Sequence, residues 1–277
     1  MPVDFSKPRK ILVIHGVQRG DNDDLTQDET IQANVETQLN DLGIPFAVDI
    51  FKYEDANDQA TAVIKRALAA LTNNIIAGWV VQQAVDLVGD VAIALSEGPV
   101  YEDIKANFRE KIIESYTEGE PLFIIAHSLG TIYAFDVINE IMKERDFFLP
   151  NQPETRPVLG LITLGSPLAL DLFERDWQDM TNLVPAGQGV DDDFRLFPWR
   201  NYWDPTDPVV SGSLVGLPWN ELKFKEKYGD KPYDLGWDSR SRSVITGKAH
   251  LLAHTAYWTD PSVGLGIRQI IVRHGRE

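Results

Sequence analysis

Short unbroken apolar runs alternate with stretches of helical spacing along this chain. Ile11-Leu12-Val13-Ile14, between Lys10 and His15, is apolar at every position, the pattern of a strand covered on both faces. Gly16 follows and permits a sharp exit. Phe46 to Tyr53 is a second strand candidate, Pro121 to Ala126 a third and Val158 to Leu164 a fourth, closed by Gly165-Ser166-Pro167. Phe194 to Tyr202 and Ser243 to Ile245 are weaker candidates. Apolar positions three and four apart predict helices from Leu25 to Leu42, through the block Asp58 to Glu97, from Tyr101 to Tyr116 and from Leu129 to Met142. Leu265 to Val272 fits a closing helix or strand. Residues 212–242, rich in Gly, Pro, Asp and Trp, read as a loop-like insertion.

Strands alternating with helices predict an α/β fold, a mostly parallel sheet with helices on both faces. One helix suffices to cross between parallel strands, and the stretch between the second and third strands holds more than one. Residues 58–117 are therefore read as a helical cap inserted into a single domain spanning 1–277, a length that suits one large α/β unit.

Composition narrows the chemistry. The chain has no cysteine, which excludes disulfides, a thiolate nucleophile and Cys-ligated metal. Its formal charge of −16 disfavours nucleic acid and anionic membranes as partners. The longest apolar stretch, Ile75 to Leu95, carries Gln82, Gln83, Asp86 and Asp90, which argues against stable membrane insertion. The first residues lack the apolar core of a signal peptide, so the expected location is cytoplasmic. Asp21-Asn22-Asp23-Asp24 and Asp191-Asp192-Asp193 lack the ligand spacing of a calcium loop. With no phosphate loop, dinucleotide fingerprint or metal-ligand cluster in the sequence, no cofactor and no metal are expected. Nothing in it sets the oligomeric state.

The informative segment is Phe123-Ile124-Ile125-Ala126-His127-Ser128-Leu129-Gly130-Thr131. An apolar strand runs into a small-x-Ser-x-Gly turn and then into a helix, the context that gives a nucleophile elbow its meaning. The turn needs small residues two before and two after the serine, and Ala126 and Gly130 meet that need. The bland alternative is that Ser128 only caps the following helix.

On these residues the chain resembles the α/β-hydrolase superfamily, in particular its lipase-like and esterase-like members. The likeness extends to Ile14-His15-Gly16, Thr163-Leu164-Gly165-Ser166-Pro167, Asp207-Pro208-Val209 and His254-Thr255-Ala256-Tyr257-Trp258, in the family's order. Ala126 departs from the family's usual glycine. The resemblance implies Ser128 as nucleophile, with the backbone N–H groups of Leu129 and Val17 as the oxyanion hole. It also implies the order Ser, acid, His. Of the later histidines, His254 is preferred as base over His250 because it opens a His-x-x-Tyr segment; His274 reads as part of a frayed tail. Asp207, before Pro-Val-Val, is preferred as acid over Asp204. His15 reads as a structural histidine, and His127 is assigned no catalytic role.

A Ser-His-Asp site suits a small-molecule ester substrate cleaved through an acyl-enzyme. The expected activity is that of a carboxylic ester hydrolase on short to medium acyl chains. Lipase, thioesterase, amidase and a non-catalytic scaffold that binds a partner are the alternatives. Trp199, Trp203, Trp219, Trp237 and Trp258 are either core aromatics or part of a substrate-facing surface.

Overall fold

The structure is a computed structural model, and it describes residues 3–15, 24–40, 43–51, 98–144, 156–169, 196–211, 237–248 and 251–274. In chain order the elements are β1 (Arg9–Ile14), α1 (Asp24–Leu39), β2 (Phe46–Phe51), α2 (Pro99–Thr117), β3 (Leu122–His127), α3 (Gly130–Ile141), β4 (Gly160–Leu164), β5 (Phe197–Trp203), α4 (Pro208–Ser211), β6 (Trp237–Ser243), α5 (Leu251–Thr255) and α6 (Pro261–His274). Short 3-10 turns lie at Pro167–Ala169 and Ala256–Thr259.

The six strands form one sheet in the order β2-β1-β3-β4-β5-β6, with every pair parallel. Strand alternation sends Leu12, Ile14, Leu122, Ile124 and Ala126 to one face, where α2 and α3 cover them. It sends Ile11, Val13, Phe123 and Ile125 to the other, under α1 and α6. Burial on both faces explains why these strands are apolar at every position. The architecture is thus the expected α/β one, a parallel sheet with helices on both faces.

The helix predicted at Tyr101–Tyr116 forms as α2 and packs on one face of the sheet. Ile104, Phe108 and Ile112, one turn apart, are fully buried in the core with β3 and α3. Pro99 stands in the first turn, where its missing N–H costs nothing. Phe108→Ala would remove a ring from this layer at a cost of about 3–5 kcal/mol. The remainder of the postulated cap, 58–97, lies outside the described residues.

Two readings are corrected. The segment taken as a loop through residue 242 contains a strand, β6. Its sequence, Trp-Asp-Ser-Arg-Ser-Arg-Ser, has a single apolar residue, but an edge strand needs only one well-anchored position and gains from charge that discourages further pairing. Trp237 supplies the anchor, fully buried edge-on to Phe197 and Trp199. Leu265 to Val272, expected as a closing helix or strand, belongs to the helix α6. His274 is buried at the end of α6 instead of fraying, because that helix docks on the sheet through Val263, Ile267, Ile270 and Ile271. Burial, with Arg273, Arg200 and Arg156 nearby, pushes its imidazole down to about 4. Among the described residues no helix is long and apolar enough to cross a membrane.

Candidate active site

Register brings the chemistry to one edge. Ile14 pairs with Ala126, His127 with Leu164, Leu164 with Tyr202, and Trp203 with Ser243. The carboxyl ends of β1, β3, β4 and β5 therefore stand side by side. His15, Ser128, Gly165 and Asp204 each begin the connection that follows, where open α/β sheets bind ligands.

Ser128 has φ 56, the only non-glycine residue with positive φ among those described. A side chain in this left-handed region costs on the order of 1–3 kcal/mol and persists only when its surroundings enforce it. Here they do. The Ser128 N–H donates to the Leu164 carbonyl at 3.0 Å. Its own carbonyl accepts from the Thr131 N–H at 3.0 Å and from Thr131 Oγ1 at 2.7 Å. Gly130 is required by contact: a Cβ there would lie 2.6 Å from the Ile14 carbonyl oxygen. The helix is capped at Leu129 with no side-chain cap bond, so Ser128 Oγ is not serving as an N-cap. The Leu129 N–H falls at the start of α3, where donors lack a carbonyl four residues back and developing negative charge is favoured. Val17 lies outside the described residues, as do Gly16, Gln18 and His250.

Asp207 and His254 come together from separate elements. His254 Nδ1 is 2.8 Å from Asp207 Oδ2, and the carboxylate is fully buried. With a carboxylate as acceptor the imidazole donates, which leaves Nε2 as the basic nitrogen. The same Oδ2 accepts from the Tyr257 phenol at 2.7 Å, and Oδ1 accepts from the Val209 N–H at 2.9 Å. Burial, then the adjacent Asp207, pushes the Tyr257 phenol well above its ordinary range, so it is a donor to this oxygen. Tyr257 Oη also accepts from the Asp204 N–H at 2.8 Å, tying the two acids of the loop together.

Asp204, the other acid considered, is committed elsewhere. Its Oδ1 accepts from the Thr206 N–H and Oγ1 at 2.7 and 2.6 Å, and its Oδ2 from the Thr246 N–H and Oγ1 at 2.8 and 2.7 Å. Burial alone would raise this carboxyl, but the Thr206 and Thr246 donors outweigh it and hold it below the usual range. Asp204 is a clip between the acid loop and residues 244–248.

Gly165 fills the angle between these parts. It has φ 57, and a Cβ there would fall 2.9 Å from the Tyr257 ring, 3.0 Å from Asp207 Oδ2 and 3.1 Å from His254 Cε1. His127, given no role from sequence, stands against the base: its Nε2 is 2.7 Å from the His254 carbonyl oxygen and the two rings lie 4.7 Å apart. No hydrogen bond joins Ser128 Oγ to His254, a bond that in hydrolytic sites commonly tightens only with substrate.

The tryptophans resolve toward the core. Trp199 and Trp237 pack on Phe135, while Trp203 and Trp258 are buried; Trp219 is outside the described residues. Among the described residues no cluster of three or more His, Asp or Glu is placed to hold a metal.

No family model matches the chain, and no curated protein does. Among solved structures it is similar to TT1662 from Thermus thermophilus, at 16% identity over 95% of this chain and 88% of that one, with a TM-score of 0.43. It is also similar to the arginase from Bacillus cereus, at 10% identity over 95% of this chain and 98% of that one, with a TM-score of 0.30. These likenesses are too loose to bear on the chemistry of the site.

Proposed function

We propose that the protein is a serine hydrolase that cleaves carboxylic esters of short to medium acyl chains, with Ser128 as nucleophile, His254 as base and Asp207 as acid. The observation that carries this reading is the bond from His254 Nδ1 to the fully buried Asp207, at the sheet edge where Ser128 is held in a left-handed turn. That pair fixes the tautomer whose Nε2 can take the Ser128 proton.

In this reading Ser128 Oγ attacks the ester carbonyl as its proton passes to His254 Nε2. The oxygen that gains the charge meets the Leu129 N–H and, as second donor, the Val17 N–H. The His254 imidazolium, held by Asp207, gives its proton to the departing alkoxide. Water then repeats the sequence on the acyl-enzyme and restores Ser128.

The test is hydrolysis of p-nitrophenyl butyrate together with labelling by a fluorophosphonate probe, which reacts only with an activated serine. Wild type should do both and Ser128→Ala neither. Hydrolysis retained in Ser128→Ala would remove the assignment, and a panel of matched esters, thioesters and amides would fix the bond cleaved.

A further inference from the structure

We propose that His127 is a positioning residue for the base: its side chain holds the His254 main chain at the distance from Ser128 that proton transfer needs. The inference rests on reading His254 as the base, and the contact itself is independent of that reading.

His127 ends β3 and directly precedes the nucleophile. Its Nε2 lies 2.7 Å from the His254 carbonyl oxygen. A carbonyl only accepts, so Nε2 carries the proton and donates. Burial, with His254 and His15 close by, holds His127 well below the ordinary imidazole range, which keeps the ring neutral in this tautomer. The ring cannot swing away easily. It lies against the His254 ring at 4.7 Å with an interplanar angle of 34°, and Trp258 meets it edge-on at 5.6 Å.

The geometry links two parts of the chain that lie 127 residues apart in sequence. Ser128 is fixed to the sheet through Leu164 and Thr131. His254 lies in the short helix α5, and its ring is fixed on the acid side by Asp207. Asp207 sets the direction of the imidazole, but nothing in that bond sets how far the backbone of residue 254 stands from the elbow. The His127 bond does, and it starts from the residue covalently joined to the nucleophile. A displacement of about 1 Å at a reacting group is enough to cost on the order of a hundredfold in rate.

Chain length supplies a sharp test. Glutamine at 127 carries Nε2 at the same number of bonds from Cα as the imidazole Nε2, whereas asparagine is one bond short and leucine has no donor. His127→Gln should keep kcat for p-nitrophenyl butyrate within about tenfold of wild type. His127→Asn and His127→Leu should lose about a hundredfold in kcat with KM nearly unchanged, and fluorophosphonate labelling should slow in parallel. A proton NMR arm reads the contact without hydrolysis. The downfield His254 Nδ1–H resonance, assigned by its loss in Asp207→Asn, should persist in His127→Gln and broaden or shift in His127→Asn and His127→Leu.

The proposal is overturned if His127→Leu keeps wild-type kcat and resonance, or if glutamine is as impaired as leucine. Wild-type protein that neither hydrolyses esters nor labels would remove the hydrolase reading, and the NMR series would still decide whether His127 positions His254.

Discussion

The elbow and the acid loop stand at the same sheet edge, yet different forces hold them. At the elbow the backbone does the positioning: a left-handed Ser128, clamped by main-chain bonds to Leu164 and Thr131, with Gly130 pressed on the Ile14 carbonyl. At the acid loop, side chains do it. Asp204 gathers four donors from Thr206 and Thr246, and Asp207 is shared by His254, Tyr257 and the Val209 N–H. A close-packed backbone turn tolerates almost no added volume, whereas a hydrogen-bonded network tolerates any side chain that restores the donor or acceptor. Single-atom changes should thus injure the two regions in different ways.

The largest effect is expected at Asp207. Asp207→Asn keeps the shape and removes the charge and the tautomer control, and should lower kcat by about ten-thousand-fold. A loss of tenfold or less would show that the acid loop does not direct the base. At the elbow the injury should instead be to folding. Gly130→Ala puts a methyl against backbone that cannot yield, and should cost about 2–3 kcal/mol in urea unfolding; a neutral result would break the contrast.

Asp204→Asn should behave like neither neighbour. It leaves Thr206 and Thr246 donors without their charged acceptor, and should cost about 1–2 kcal/mol while activity per folded molecule stays near wild type. The sign with pH follows from a folded-state carboxyl held below its unfolded value. The stabilisation is present above the unfolded value near 3.8 and is lost as the pH falls through the lower, folded one. The gap between wild type and Asp204→Asn should accordingly close below about pH 4. The smallest effect is expected for Tyr257→Phe, which removes one of three donors to Asp207. It should lower kcat about fivefold, the 1 kcal/mol of a single hydrogen bond; a loss as large as that of Asp207→Asn would make the phenol a partner in the chemistry.

The contrast also explains what could be read from the sequence. The elbow is local: strand, small-x-Ser-x-Gly and helix fall within about twenty residues, so hydrophobic pattern and turn chemistry reveal it together. The apolar strands were legible because both their faces are covered. The cluster of Asp207, His254 and Tyr257 is assembled across separations of 47 and 50 residues, and composition offers no measure of which aspartate meets which histidine. Asp204 and Asp207 look alike in Trp-Asp-Pro-Thr-Asp-Pro, and only their partners in space, Thr206 and Thr246 for one and His254 and Tyr257 for the other, distinguish them. The contact of His127 with His254 was hidden for the same reason, since its partner is a main-chain carbonyl with no side-chain signature. β6 escaped because an edge strand bears one anchor and several charges, and His274 because a chain end normally frays.

The shared face of α1 and α6 bears on how the molecule comes into being. These helices come from opposite ends of the chain, yet Ile31, Val35, Val263 and Ile267 lie in one apolar cluster. As synthesis proceeds from the first residue, the serine turn and its flanking helix emerge long before residues 251–274. Until that last segment docks, a nascent chain has no His254 to meet Asp207, and α1 covers its face of the sheet without α6. If Ser128 is the proposed nucleophile, its reactivity would mark completion, switched on by the same docking that finishes covering this face of the sheet.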